Sequence, residues 1–439
     1  MQKTEFKSRL GFVLTAAGSA VGLGNIWGFP TQAASHGGGA FLLLYLLLVF
    51  ALAYPALVAE MAIGRRGQQD PVADLGGLAG RAGRLTGWLG LLTISGILSF
   101  YLIVAGWLLG YLGNAALALG GQQWPWLMEF GFGRNLALAL VFGLLTWLVV
   151  QKGLQAGIER WSSRLMPLLL AALVLLAGYV LTLPGGLDGL AAYLKPELSA
   201  LSSPSLWLAA TGQAFFSLSI GVCVMMVYAS YLDRQARLPR LGLQVTLLDT
   251  SVAFLAGLLV LPAMYVAKAQ GLAIVDDSGA LLSSDTLVFE LLPSLFERLG
   301  TAGNWLALGF FALLVMAALT STLSMLEVPT ATLVARTRLS RRQASLAVLG
   351  AVLLATTAIL ANFGTLFPLV IKLTTQYGQP LLGMLFCIYV GWLWRREQLL
   401  KALAAEDESF ARSWFWRLWP GYVRLVCPLL ILLVILQGG

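Results

Sequence analysis

A chain of 439 residues, 59% hydrophobic and 11% charged, with a mean hydropathy of +0.83, has too few polar side chains to coat a water-soluble globule and needs lipid as its solvent. Its net charge of +8 is not gathered into a compact basic domain, which argues against nucleic acid as a partner. Cys223, Cys387 and Cys427 lie in apolar runs and His36 is the only histidine, so no disulfide framework or His/Cys metal centre is expected.

At about 20 apolar residues per crossing, the chain divides at glycine, proline and charge clusters. The predicted spans cover residues 10–33, 40–63, 86–119, 135–151, 165–183, 206–231, 243–267, 303–334, 343–361, 366–394 and 418–436. That is an all-α membrane protein of about eleven helices, a single domain over 1–439. Basic residues ahead of the first span imitate a secretory signal, but the apolar stretch runs on into a glycine-rich segment and a second span, so it is expected to be retained. With the N-terminus inside and crossings alternating, only Arg134, Lys195, Lys268 and Arg298 fall outside, and Lys372 lies within a span. An odd number of spans then puts the C-terminus outside, and the expected location is an inner (plasma) membrane crossed many times.

The first and sixth spans differ from the rest in carrying a polar, glycine-bearing interruption near their middle: GSAVGLGN at 18–25 and FSLSIGVC at 216–223. Five spans separate their starts, the spacing of two inverted five-helix repeats (10–183 and 206–394), each opening with a broken helix. Unwinding at mid-membrane bares carbonyls for a cation and leaves half-helix N-termini aimed at an anion. Between the seventh and eighth spans, residues 268–302 carry Asp276, Asp277, Asp285, Glu290 and Glu297, with Pro293 interrupting a short helix; they read as a solvated loop or a lid over an outer vestibule. Residues 395–417 form a charged connection, and the helix at 418–436, outside the repeat, serves packing or homodimer contact. His, Cys or paired acids do not gather at one depth, so no enzyme is expected.

These strings resemble the neurotransmitter:sodium symporters, with the LeuT-type bacterial amino acid transporters nearest. The resemblance covers nearly the whole chain: GSAVGLGNIWGFP (18–30), GGGAF (37–41), KGLQAGIERWSSRLMP (152–167), GQAFFSLSIG (212–221), YASY (228–231) and ALTSTLSMLE (318–327). It implies a LeuT-type 5+5 inverted repeat and sodium-coupled import of an amino acid, with two Na+ beside the substrate. The first ion would be held by the Ala20 carbonyl, the Asn25 amide oxygen, Ser217, Asp249 on the seventh span and the substrate carboxylate. The second would be held by the carbonyls of Gly18, Val21 and Ala317 and the hydroxyls of Thr320 and Ser321. These are hard oxygen ligands, as an alkali cation needs. An acid inside a span costs about 2.5–3.5 kcal/mol on insertion scales and is usually functional; Asp249 stands where the family commonly has Asn, so chloride is not expected to be required.

By the same resemblance the substrate carboxylate would meet the amides of Gly22, Leu23 and Gly24 and the Tyr101 hydroxyl. Its ammonium would meet the carbonyls of Ala20, Phe216 and Ser217 near Ser219, with Ser19 in the same segment. Ile97, Tyr101, Phe216, Val222, Ser321 and Met325 would line a mainly apolar side-chain pocket, pointing to a hydrophobic amino acid. Gly22, where monoamine carriers have Asp, points the same way. The chain departs from the family at both gates. Gly28 and Ile371, with Lys372 beside it, replace the outer ion pair, while Lys3, Phe6 and Tyr231 stand at the inner gate and the eighth-span acid is replaced near Ala335 and Arg336. Gating is therefore expected to rest on packing and hydration more than on ion pairs. The Gly157 and Pro167 spacing that lets the fifth helix unwind is intact. The rival readings are a proton-coupled permease using Asp249 and a non-transporting amino-acid sensor or leak.

Overall fold

The computed structural model describes residues 5–122, 124–233, 235–275, 287–404 and 408–437. Among them the regular structure is helical, with one isolated bridge between Gly38 and Pro196. Eight helices are long and apolar enough to cross a membrane, and nine if a bent pair counts as one. The shortfall from the expected eleven has two sources. The sixth span is cut into Pro204–Ser217 and Val224–Ser230, each too short alone. The tenth, residues 363–393, carries the polar turn Lys372–Gly378 at its middle. Large apolar side chains such as Leu92, Leu175, Leu354 and Leu436 are exposed on the outer surface of the bundle, as lipid contact requires.

The first span is the bent pair, Arg9–Ala20 and Gly24–Ser35, at 58°. Its first helix starts at Ser8, whose hydroxyl accepts from Gly11 N at 2.9 Å, and ends where Val21 turns to ψ 109°. The cause of the break is visible in its hydrogen bonds. In an unbroken helix Gly22 N and Leu23 N would bond the carbonyls of Gly18 and Ser19. Here Gly22 N goes to Asn25 Oδ1 at 3.2 Å and Leu23 N to the Tyr101 hydroxyl at 3.2 Å. Both carbonyls are released, the arrangement a cation site needs. Gly22 also permits close approach, since a Cβ there would lie 2.7 Å from Ser321 Oγ.

The sixth span breaks over residues 218–223, where Ser219, Gly221 and Cys223 take positive φ of 50°, 90° and 63°. Only glycine fits at 221: a Cβ would lie 2.1 Å from the Gln379 carbonyl oxygen. The second half-helix is capped from outside its own span. Glu60, fully buried in the second span, accepts from Gly221 N at 2.8 Å and Met225 N at 3.2 Å, placing a carboxylate at a helix N-terminus. The sequence reading missed this residue, although an acid inside the apolar run 40–63 was the same kind of signal that marked Asp249.

Around the two breaks, the third span (within Pro71–Leu119, kinked at Ala79 and Gly80) packs along the eighth, Gly300–Arg336. Between the seventh and eighth spans, Asp276, Asp277 and Asp285 lie outside the described residues. Pro293 stands just past the junction where a π turn, Leu287–Leu291, passes into the helix Leu292–Arg298. Just before it, the Phe289 carbonyl accepts from the Tyr111 hydroxyl at 2.9 Å, and its ring stands edge-on to Trp27 and Trp107 at 5.3 and 5.8 Å.

Candidate ion and substrate site

The two breaks meet at Asn25, whose fully buried amide bridges three elements. Its Nδ2 donates to Ser217 Oγ at 2.9 Å, to Asp249 Oδ1 at 2.8 Å and to the Asp249 carbonyl at 3.3 Å. Ser217 Oγ donates to Asp249 Oδ2 at 2.6 Å and accepts from the Tyr45 hydroxyl at 3.1 Å. The first span, the sixth and Leu238–Ala269 thus place Asn25, Ser217 and Asp249 in one buried cluster, with Ala20 at the end of the first half-helix. Both carboxylate oxygens are held by polar hydrogens, which is how a buried charge is tolerated.

A second cluster joins the first and eighth spans. Ser321 Oγ donates to the Val21 carbonyl at 3.0 Å and lies 3.4 Å from the released Ser19 carbonyl; Thr320 Oγ1 donates to the Ala317 carbonyl at 3.0 Å. Gly18 backs onto Thr320, where a Cβ would come 3.4 Å from the threonine Cβ and 3.1 Å from Met166 Cγ of the fifth span. Gly18, Val21, Ala317, Thr320 and Ser321 are therefore gathered in one place under the fifth span. That span opens with a π turn at Leu154–Glu159 and contains Pro167.

A cavity of about 520 Å³ separates the breaks. Every residue expected to touch substrate lines it except Ser217, which lies buried with Asn25 and Asp249. Phe216 is 39% exposed, its ring against Gly24. Sequence reasoning missed Ser324 at the inner end and Trp107, Phe367 and Gln376 at the outer one. Trp107 and Phe367 belong to an aromatic cluster, with ring centroids 6.0 Å apart, around Gly28 and Ile371. With no charge at either of those two positions, neither has a buried partner to strand. Lys372 instead lies over the Tyr377 ring at 5.8 Å.

The opposite end of the bundle corrects the sequence reading. Ala335 and Arg336 stand where the acid was expected to be replaced, but the eighth span carries another acid about two turns earlier, Glu327, fully buried. It accepts from the Tyr231 hydroxyl at 2.9 Å and pairs with Arg341, whose Nη1 lies at 3.3 Å and whose Nε holds the Val150 carbonyl at 2.9 Å. Arg336 pairs with Asp70 at 3.0 Å. An ion pair is present at this end, so the expectation of closure mainly by packing fails here. Phe6 packs on Phe12, Tyr228 and Tyr231, and its N–H donates to the Tyr231 carbonyl at 3.2 Å. Glu159 of the fifth span accepts from Lys7 N, pinning the segment that leads into the first helix. Lys3 lies outside the described residues.

Two facing broken helices inside an all-helical, membrane-spanning bundle define the LeuT class of transporters. The family model of the sodium:neurotransmitter symporters matches residues 3–128 and 129–438, and the chain belongs to this family, whose members are sodium-coupled transporters and not enzymes. Among its relatives, the uncharacterized sodium-dependent transporter YhdH of Bacillus subtilis is 40% identical over 342 residues, 75% of this chain and 72% of that one. An uncharacterized sodium-dependent transporter of Haemophilus influenzae is 30% identical over 100% of this chain and 98% of its own length. The crystal structure of MhsT in complex with L-phenylalanine superposes with a TM-score of 0.84 at 35% identity, covering 99% of this chain and 100% of that one.

Proposed function

We propose that the chain imports an amino acid with a hydrophobic side chain, driven by two sodium ions and without chloride, by alternating access. The observation that carries this reading is the junction of Asn25, Ser217 and Asp249 between the two breaks. A cation entering beside Ala20 would take over from the Asn25 and Ser217 hydrogens that now face the Asp249 oxygens, and would draw the substrate carboxylate to its open side. Gly18, Val21, Ala317, Thr320 and Ser321 would hold the second ion. The fixed carboxylate of Asp249 supplies negative charge at the first site, the part an external chloride would otherwise play.

Support for the substrate class comes from the cavity. Leu23 N and the Tyr101 hydroxyl mark the level at which a carboxylate would be bound, and Ile97, Val222 and Met325 form apolar walls below it. MhsT, similar along its whole length, holds L-phenylalanine. Glu327, Tyr231 and Arg341 would close the cytoplasmic end, with the N-terminus inside a bacterial inner membrane. The two repeats would span 10–183 and 206–394. The helix at 418–436, with Leu429, Leu433 and Leu436 exposed, would lie against lipid or a second copy.

Each sodium entering down its gradient contributes about 2.3 kcal/mol per 100 mV and about 1.4 kcal/mol per tenfold concentration ratio, enough to accumulate a zwitterion. Purified protein in proteoliposomes is expected to accumulate L-phenylalanine or L-leucine when sodium is imposed outside. It should not do so with potassium outside, nor with a proton gradient alone. Accumulation at acid pH without sodium would replace this reading with the proton-coupled permease, and binding without accumulation would replace it with the sensor.

A further inference from the structure

The cavity has a polar inner end that the hydrophobic-substrate reading leaves unused. Tyr101, Ile97 and Ile94 line it along one face of the third span, and Ser321 and Ser324 along one face of the eighth. Each series steps inward by about a turn, or about 5.4 Å of helix rise. Below the level marked by Tyr101, the first and eighth spans face each other through two buried hydroxyls, Ser19 and Ser324.

Their hydrogens are both committed. Ser19 Oγ donates to Ser324 Oγ at 2.6 Å, and Ser324 Oγ donates to the Ser321 carbonyl at 2.7 Å. A hydroxyl has one hydrogen and two lone pairs. Ser19 lines the cavity, and its Oγ, with its hydrogen spent, keeps acceptor lone pairs that no described donor meets. A side chain extended inward from a carboxylate at Tyr101 would cover about the one turn that separates the two levels.

Building on the amino-acid reading, we propose that Ser19 is a specificity residue that accepts a hydrogen bond from a donor at the far tip of the substrate side chain, so that the site prefers aromatic amino acids carrying an O–H or N–H, such as tyrosine, over donor-free rings of the same size. Ser324 positions Ser19 by taking its hydrogen. The gain from one such bond corresponds to roughly three- to tenfold in affinity.

The test is equilibrium competition binding in sodium with L-tyrosine, 4-fluoro-L-phenylalanine and L-phenylalanine. In the native protein tyrosine should bind roughly three- to tenfold tighter than the fluoro analogue. Ser19→Ala should bring that ratio of tyrosine to fluoro-analogue affinity to about one. Ser324→Ala, which keeps the Ser19 oxygen but frees its hydroxyl to rotate, should reduce the preference without abolishing it. Equal binding of tyrosine and the fluoro analogue to the native protein would overturn the assignment, as would a preference that survives Ser19→Ala. Loss of the preference in Ser324→Ala to the same extent as in Ser19→Ala would also overturn it, reducing the pair to a cross-link between helices. In each of these cases sodium-dependent phenylalanine binding leaves the amino-acid reading standing; no binding of any of the three would end both.

Discussion

Asp249→Ala is expected to weaken sodium-dependent amino-acid binding by about a hundredfold or more. The carboxylate is fully buried and holds Asn25 from the first break and Ser217 from the sixth. It is the one carboxyl group in a cluster otherwise built from neutral side chains and carbonyls. At an effective dielectric of about 20, two unit charges 4 Å apart interact by about 4 kcal/mol, and a hundredfold in affinity is about 2.8 kcal/mol. Asp249→Asn keeps an oxygen but removes the charge, so it should lose about tenfold or more in sodium affinity and regain part of it when chloride is supplied. Native uptake should be the same in chloride and in gluconate. Radiolabelled substrate binding titrated with sodium in both anions measures the first two, and uptake in both anions measures the third. Native uptake that collapses in gluconate would remove Asp249 from the charge-supplying role.

Glu60→Ala should cause the largest loss of stability among the side chains around the breaks. It strands Gly221 N and Met225 N in a segment where three residues already take positive φ. Each buried amide left without an acceptor costs about 1–3 kcal/mol, so for a chain of this length the midpoint of thermal unfolding should fall by roughly 2–6 °C. Glu60→Gln keeps one acceptor oxygen and should lie between. Because the sixth-span break carries Ser217, sodium affinity should fall together with stability. Unfolding curves in detergent, with and without sodium, decide this; a midpoint unchanged from native for Glu60→Ala would mean that the carboxylate does not hold the break.

The parts of this fold that a reader could see in the sequence are those written as local contradictions. GSAVGLGN and FSLSIGVC put glycine and hydroxyls where lipid demands apolar side chains, and the helices break at both. Asp249 stood out for the same reason. What stayed hidden depends on partners far apart in the chain. Glu327 meets Tyr231 across 96 residues, and Ser19 meets Ser324 across 305; no spacing rule reports either. Family spacing shows an acid replaced near Ala335, but it does not report the pair two turns earlier, where Arg341 reaches back to Glu327 over the turn after the eighth span. Span counting faltered at the sixth and tenth spans because a broken or polar-centred helix loses the uniform apolarity that such counting relies on.

One cluster of backbone and side-chain oxygens serving a cation and a zwitterion together would make each ligand's binding depend on the other, and the thermal stability of the purified protein tests that most directly. L-Phenylalanine at a hundredfold its dissociation constant should stabilise the protein by about 2.7 kcal/mol in sodium and give no shift when potassium replaces it. An equal shift in potassium would contradict the shared site.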